Sequence, residues 1–269
     1  MDKLLEKYKS INITLNLEEE RKKAFEYVYL TNRLEGNKLT LVQTTQLLDT
    51  ETISGENIRT RDILEQKGMY KALNRMLLAV RNKEPLSLDL IIELNGLVLS
   101  SLWKDDAYYS DAKEKGQDIR ALKTTMNIIS ISKSGREIER VEPLSTPDNV
   151  QDNMVNLIDR ITKSTIPTID KAIIFAKQLW LHQPFIDGNK RMGRLLINFM
   201  TMQEGYPLFV YDDSKLGNYN SLLIQEYMEN KDGLLLAYTK DRIKNTMNRA
   251  IDSFAKIKKA KKDFGLSLL

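Results

Sequence analysis

The chain has 269 residues, of which 42% are hydrophobic and 29% are charged, and its formal net charge is +4. This length can bury a substantial core, and the modest charge does not indicate a nucleic-acid-binding protein. The absence of cysteine excludes disulfides, thiol catalysis and thiolate zinc sites, and the single histidine, His182, excludes zinc sites built on paired histidines.

The N-terminal sequence MDKLLEKYKSINITLNLEEE lacks the uninterrupted apolar segment of a signal peptide. No stretch of the chain reaches the length of apolar sequence that a membrane span needs. We therefore expect a cytoplasmic protein that has neither a nucleic acid nor a membrane as its partner.

Few prolines and glycines interrupt long segments of helical periodicity, which predicts a mainly α protein. The first helix is expected to begin near Asn16, which has capping-box spacing with Glu19, and to end at Gly36, a residue suited to the left-handed position after a helix. The other predicted helices cover residues 41–48, 59–80, 87–102, 148–161, 170–182, 189–202, 219–227 and 233–259. Apolar and polar residues alternate around Ser134-Gly135, which predicts a short β-hairpin.

The loop before the helix predicted over 189–202 has the composition of an anion site. Asp187, Gly188 and Asn189 form a turn signal, and the helix follows at once. The apolar residues spaced as i, i+3, i+4 and i+7 predict the buried face of this helix: Met192, Leu195, Leu196 and Phe199. Arg191 and Arg194 fall on the adjacent polar face, so a helix N-terminus and two arginines would bind an anion together, and Asp187 could hold Mg²⁺. The alternative is an ordinary turn followed by a solvated arginine face.

Several segments resemble the Fic family. The sequence PFIDGNKRMGRLL is similar to its signature, His-Pro-Phe-x-Asp/Glu-Gly-Asn-Gly/Lys-Arg-x-x-Arg. The segment TNRLEGNKLT resembles the family's inhibitory motif, Ser/Thr-x-x-x-Glu-Gly/Asn, with Thr31, Glu35 and Gly36 in the required places. RALKTTMNIISISKSG occupies the place of the family's flap, and NYNSLL resembles a segment that follows the signature helix. The chain is thereby identified as a member of the Fic branch of the Fic/Doc family.

The resemblance implies a Fic-type helical bundle with a small β-hairpin flap, forming one domain over residues 1–269. Its parts would be an N-terminal inhibitory helix over about 16–36, a Fic core over about 85–230 and a C-terminal helical extension over about 231–269. A target protein would bind along the flap, from Ile128 to Ile131, by adding a strand. Family members often self-associate, so a homo-oligomer is compatible with the resemblance.

Fic proteins usually transfer AMP from ATP to a hydroxyl side chain of a target protein. By similarity, Asp187 would hold Mg²⁺ against the α- and β-phosphates. The nucleotide-binding positions that the resemblance implies are Gly188, Asn189, Lys190, Arg191, Arg194 and Asn198. Arg194 would contact the γ-phosphate, and Asn198 would approach the nucleoside. Glu35 would pair with Arg194 and block the placement of the γ-phosphate, which would make the protein auto-inhibited.

Two residues depart from the family pattern. Lys190 stands where many AMP transferases have glycine, and the related Doc proteins, which transfer phosphate, also have lysine there. The family's histidine base precedes Pro-Phe directly, and this chain has Gln183 at that position. Glutamine can position a hydroxyl but cannot take its proton at neutral pH. His182 lies one residue earlier, a rotation of about 100° on a helix, so it is either a structural histidine or a base brought into place by a rearranged loop.

Three functions stay open on the sequence. The first is a Fic-type protein adenylyltransferase that is auto-inhibited by Glu35 and whose catalysis is impaired at Gln183. The second is an ATP-binding Fic pseudoenzyme that acts as a partner-binding module. The third is a Doc-like phosphotransferase.

Overall fold

The computed structural model describes residues 1–11, 17–56, 58–105, 107–133, 136–212 and 219–263. These residues form a mainly helical protein with one antiparallel β-hairpin, as the periodicity predicted. The helices are α1 (Asp2–Ser10), α2 (Leu17–Arg33), α3 (Leu41–Thr50), α4 (Thr60–Arg81), α5 (Leu88–Asp105), α6 (Ser110–Glu114), α7 (Val150–Lys163), α8 (Thr168–His182), α9 (Asn189–Gln203), α10 (Tyr219–Glu229) and α11 (Leu234–Asp263). A 3₁₀ turn, Ala107–Tyr109, precedes α6. None of the described helices is both long and apolar enough to cross a bilayer.

Helix α9 lies at the centre of the molecule and is buried on nearly every side. The four residues predicted to form its buried face, Met192, Leu195, Leu196 and Phe199, are all fully buried. They pack in a cluster that includes apolar residues of α2, α4, α5 and α7. Ile197 points to a second cluster, which α8, α10, α11 and the hairpin share. A helix that is apolar toward both sides belongs in a core, and this position places the N-terminus of α9 between the surrounding helices.

The hairpin consists of β1 (Ile129–Lys133) and β2 (Arg136–Val141). Ile129 pairs with Val141, and the register shifts after Ile131. Ile129 and Ile131 alternate with an exposed Ser130 and are buried in the second cluster, so the hairpin is fastened to the helices by one face. The predicted turn dipeptide Ser134-Gly135 lies outside the described residues.

The structure contains two helices that the sequence did not predict. Helix α1 has no side-chain cap and no fully buried residue, so its nine residues carry a weak signal, and it is helical where it packs against α11. Helix α6 is a five-residue segment after the 3₁₀ turn. The predicted capping residue of α2, Asn16, lies outside the described residues.

Candidate functional site

The site is built on the loop between α8 and α9. Gly188 is the N-cap of α9 and has a φ of 86°, in the left-handed region that favours glycine. Its neighbour Asp187 accepts a hydrogen bond through its backbone carbonyl from Asn95 Nδ2 at 3.1 Å. A Cβ atom at position 188 would lie 2.7 Å from the same Asn95 nitrogen. The backbone angle therefore favours glycine at this position, and a larger residue would also displace the Asn95 side chain.

Asn189 fixes the same loop from the inside. Its Nδ2 donates to the Phe185 carbonyl at 2.7 Å and to Gln183 Oε1 at 2.8 Å. Its Oδ1 accepts from the Phe185 amide at 3.1 Å. Because the buried Asn189 side chain is engaged at both ends, it shapes the loop that the sequence assigned to anion binding.

A cavity of about 100 Å³ opens in front of this loop. Its lining brings together residues from two distant parts of the chain, and all of them except Ile186 are predicted site residues: Glu35, Gln183, Ile186, Asp187, Gly188, Asn189, Lys190 and Arg191. A larger cavity of about 620 Å³ lies between α8, α10 and the start of α11, and its lining contains none of the predicted site residues. We assign the site to the smaller cavity because the α9 N-terminus and the cationic residues converge there.

Asp187 is a half-buried carboxylate held by three donors. Tyr109 donates its hydroxyl at 2.6 Å, the Gly188 amide donates at 2.5 Å, and Arg191 Nη2 lies 3.3 Å away. Burial opposes ionisation, but the charge of Arg191 and the two hydrogen bonds outweigh it and hold the pKa of Asp187 below its usual value. The described residues contain no group of three or more acids or histidines placed to hold a metal. Asp187 is thus the one carboxylate of the loop that a Mg²⁺ ion could use, and the remaining ligands of such an ion would be phosphate oxygens and water.

Arg191 lines the cavity and carries one buried donor that has no acceptor among the described residues. Its side chain is buried, with Nη2 directed to Asp187, and its Nη1 has no hydrogen-bond partner among the described residues. The alternative of a solvated arginine face is therefore wrong. A buried guanidinium nitrogen without an acceptor is costly unless a ligand satisfies it, and an anion is the natural acceptor.

Arg194 is held by the segment that resembles the family's inhibitory motif. Its Nε donates to Thr31 Oγ1 at 2.8 Å and its Nη2 to the Thr31 carbonyl at 2.8 Å. Its Nη1 bonds to Asn220 Oδ1 at 3.0 Å and pairs with Glu35 Oε1 at 2.8 Å. The guanidinium also lies 5.3 Å from the centre of the Tyr219 ring. All three nitrogens of this buried arginine are thus occupied.

Glu35 reaches Arg194 from a helix-ending turn. The Gly36 amide donates to the Arg33 carbonyl at 3.0 Å, and the Asn37 amide donates to the Asn32 carbonyl at 3.1 Å. Gly36 has a φ of 88°. These bonds form a Schellman motif with Glu35 as the C-cap, which confirms the prediction that Gly36 is the left-handed residue after α2.

The Glu35 carboxylate is neutralised by two cations. Besides Arg194, Lys190 Nζ lies 3.0 Å from Glu35 Oε2. Burial raises the pKa of Glu35, but the charges of Arg194 and Lys190 outweigh it and lower the pKa to about 2. The pairing of Glu35 with Arg194 that the sequence predicted is present, and the glutamate is ionised.

Gln183 faces the cavity and His182 faces away from it. Gln183 has a φ of 46°, and its Nε2 donates to the Trp180 carbonyl at 2.6 Å. The His182 imidazole forms a 2.6 Å hydrogen bond through Nδ1 with Ser145 Oγ and is absent from the lining of the cavity as the structure describes it. Burial and the nearby Lys123 lower the pKa of His182. In this structure the left-handed turn at 183 directs the two side chains to different sides, so the loop is not rearranged to bring His182 to the cavity.

Sequence comparisons match this site to a known family. Residues 85–201 match the family model described as the Fic/DOC family. The chain is 31% identical over 192 residues to protein adenylyltransferase fic-1 of Caenorhabditis elegans. The aligned residues make up 70% of this chain and 33% of the relative. It is 28% identical over 190 residues to protein adenylyltransferase Fic of Nematostella vectensis, and that alignment covers 68% of this chain and 38% of the relative. The chain thus spans roughly one third of the length of the curated relatives it matches.

Structural comparison extends the match to the whole chain. A Fic domain containing signaling protein from Bacteroides thetaiotaomicron aligns with a TM-score of 0.74 and 26% identity, covering 100% of this chain and 99% of that one. The chain belongs to the Fic/DOC family. The fold is also that of residues 134–508 of Caenorhabditis elegans Fic-1, with a TM-score of 0.71 at 24% identity, covering 95% of this chain and 73% of that chain.

One residue that the Fic resemblance assigned to the nucleotide lies elsewhere. Asn198 is fully buried, and its Oδ1 accepts from the Phe209 amide at 3.0 Å. Its Nδ2 donates to the Arg194 carbonyl at 3.3 Å. In this structure the side chain fastens the segment after α9 to the helix and is absent from the described lining of the cavity, and the approach of Asn198 to a nucleoside stays a prediction.

Three residues of this Fic site were missed by sequence reasoning. Tyr109 bonds Asp187, Asn95 bonds the loop carbonyl, and Asn220 bonds both Arg194 and Glu35. Asn220 falls in the NYNSLL segment that resembles the family, so that segment carried a signal. Tyr109 and Asn95 are single polar residues in other elements, and nothing in their local sequence marks them.

Proposed function

We propose that this Fic protein transfers AMP from ATP to a hydroxyl group of a target protein, and that Glu35 and Gln183 keep the reaction slow. The observation that carries the proposal is the anion cradle, in which Lys190, Arg191 and the N-terminus of α9 line one cavity together with Glu35. Two curated relatives that match most of this chain are named protein adenylyltransferases, which supports the same reaction.

In this proposal the phosphates of ATP bind where the cavity now lies. Arg191 supplies its unused nitrogen, Lys190 supplies a second cation, and the N-terminus of α9 contributes its free amides and dipole. Asp187 holds Mg²⁺, whose chemistry when bound is to offset negative charge on the phosphates. These groups stabilise charge on the phosphates without taking part in bond making.

The transfer itself requires a proton to leave the attacking group. The hydroxyl oxygen of the target forms a bond to the α-phosphorus, the bond from that phosphorus to pyrophosphate breaks, and the hydroxyl proton is lost. Gln183 occupies the position nearest to this event, but an amide has no basic site for the proton at neutral pH. The proton must pass to water, so the reaction lacks the rate acceleration of about 10²–10⁴-fold that a positioned base contributes.

Glu35 imposes the second restraint. Arg194 is the cation that would bind the γ-phosphate, and its nitrogens are taken by Thr31, Asn220 and Glu35. Glu35 lines the cavity of about 100 Å³ together with the loop residues, so its carboxylate occupies part of the space that the phosphates would take. Productive ATP binding therefore requires the turn that carries Glu35 to move away from Arg194.

We propose that the target binds along the hairpin. Within the described residues β1 pairs only with β2, so its other edge is available for an added strand. Ile129 and Ile131 are buried, and Ile128, which is 57% exposed, offers a side chain to a bound segment. The target therefore pairs with the backbone of β1 and packs against Ile128.

A second candidate function is an ATP-binding pseudoenzyme that presents the flap to a partner. The observation that favours it is the engagement of Gln183 at both ends, by the Trp180 carbonyl and by Asn189 Nδ2. In that case the amide serves to fix the loop, and the nucleotide changes the shape of the protein without being consumed.

ATP labelled at either the α- or the γ-phosphate separates these functions. The label is followed into protein for the wild type, Glu35→Gly and Glu35→Gly/Gln183→His, with a cell lysate supplied as a source of targets. Transfer of α-label by Glu35→Gly supports the proposed function. Transfer that requires Gln183→His, in a protein that already binds ATP, supports the pseudoenzyme. Transfer of γ-label alone supports a Doc-like phosphotransferase, and the absence of ATP binding in all three proteins contradicts the assignment of the cradle.

A further inference from the structure

Two asparagines flank Glu35 inside the protein. Asn32 and Asn37 are 0% and 1% exposed, and the Asn37 amide bonds the Asn32 carbonyl across the turn over residues 32–37, which we call the α2 turn. An amide side chain in a core is costly unless it is hydrogen-bonded. The partners of these two side chains therefore show what holds the α2 turn in place.

Those partners lie on the first two turns of α4. Asn32 Nδ2 donates to Gln66 Oε1 at 3.0 Å and to the Glu65 carbonyl at 3.3 Å. Asn37 Nδ2 donates to Glu65 Oε2 at 2.9 Å and to the Asp62 carbonyl at 3.0 Å, and Gln66 Nε2 returns a bond of 3.2 Å to Asn37 Oδ1. Five hydrogen bonds thus join the α2 turn to α4, and all of them are shielded from water.

The other side of the α2 turn faces the candidate site. Glu35 projects from it to Arg194 and Lys190, and Asn220 Nδ2 bonds the Leu34 carbonyl at 2.8 Å. Glu35 lies beyond the last residue of α2, Arg33, so the helix alone does not fix its position. The carboxylate is held where it is by the two asparagines on one side and by the cations on the other.

We infer that α4, acting through Asn32 and Asn37, positions Glu35 against Arg194, and that Asn37 and Gln66 are positioning residues for the inhibition. This inference rests on the inhibitory role proposed for Glu35. Loss of the bonds to α4 leaves the α2 turn held by the ion pairs of Glu35, for which the phosphates of ATP compete, and by single bonds from Asn220 and Arg59. The hydrogen bonds between α4 and the α2 turn therefore set the affinity of the inhibited protein for ATP.

Titration calorimetry with ATP and Mg²⁺ tests this inference. Asn37→Ala removes three of the five bonds and Gln66→Met removes two, from opposite sides of the contact, and each is expected to tighten ATP binding by at least about fivefold. Neither substitution should tighten it further in a Glu35→Gly protein, because the group being positioned is gone. Ile161→Val, a core truncation in α7, is the control for general loosening, and it should leave ATP affinity unchanged.

A purely structural role for the contact predicts a different result. Asn37→Ala and Gln66→Met would then lower the melting temperature without tightening ATP binding, and that outcome overturns the inference. An equal increase in ATP affinity in the wild-type and Glu35→Gly backgrounds also overturns the inference. If Glu35→Gly itself leaves ATP affinity unchanged, the inhibitory role of Glu35 fails first. Gln66→Met decides the question if Asn37→Ala does not fold, as judged by circular dichroism.

Discussion

At the scale of single residues, Gln183 separates this protein from the Fic signature. Its amide bonds Asn189 Nδ2 through Oε1, a contact that a neutral histidine nitrogen can also accept. Gln183→His in a Glu35→Gly background is therefore expected to raise AMP transfer by about 10²–10⁴-fold. The measurement is the initial rate of α-label incorporation, with Gln183→Asn as the matched amide control. A histidine variant no faster than the asparagine control would contradict this role of position 183.

Gly188 carries both a backbone and a packing requirement, and Gly116 carries only the first. Gly116 has a φ of 76° and nothing within 4 Å of an added Cβ, so Gly116→Ala should lower the free energy of unfolding by about 1–2 kcal/mol. Gly188→Ala also brings the Cβ against Asn95 and should cost roughly 1–3 kcal/mol more. Urea unfolding of both variants measures the difference. Equal losses would mean that the contact between α5 and the loop is not tight.

The ionisation of Glu35 predicts how its contribution to the free energy of unfolding depends on pH. Its pKa is lowered from 4.5 to about 2, so the stabilisation is fully present above its ordinary pKa and is lost as the pH falls toward 2. The difference in unfolding free energy between wild type and Glu35→Gln should be constant from pH 5 to 8 and should shrink below about pH 4. Urea unfolding across this range measures it. A difference that changes between pH 6 and 8 would show that another group controls the pairing.

At the scale of elements, the hairpin has one structural face and one exposed edge. Ile131 is fully buried, so Ile131→Ala should destabilise the protein by about 2–5 kcal/mol. Ile128 is exposed, so Ile128→Ala should change stability by less than about 0.5 kcal/mol and should reduce modification of the target without changing ATP affinity. Thermal unfolding and α-label transfer by the Glu35→Gly protein distinguish the two. Unchanged target labelling in Ile128→Ala would place the target elsewhere.

The helices show which features of this fold are determined by the local sequence and which depend on distant contacts. Helix α9 was predicted over 189–202 and spans Asn189–Gln203, because a long apolar stripe and a turn signal both mark its start. The end of α2 was likewise marked by Gly36, whose left-handed φ a glycine adopts without strain. Helix α1 was missed because it depends on packing against α11, a contact between the two ends of the chain that local periodicity does not reveal.

At the scale of the whole molecule, the site joins residues that are far apart in the chain. The signature predicted Asp187, Arg191 and Arg194 because they are neighbours in one loop and helix. Tyr109 and Asn95 reach the same loop only through the packing of α5 and the 3₁₀ turn around α9, so their roles became visible only in the folded chain. Sequence spacing likewise could not tell whether His182 or Gln183 faces the cavity, since that depends on the left-handed backbone at 183.

The central claim is that an intact anion cradle is restrained by Glu35 and Gln183 together. The most direct test is the rate of α-label transfer from ATP by Glu35→Gly/Gln183→His, measured beside wild type and both single variants. The double variant should be the fastest of the four, and its labelling should be lost when Arg191 is also changed to alanine. No α-label transfer by a double variant that is folded and binds ATP would contradict the claim.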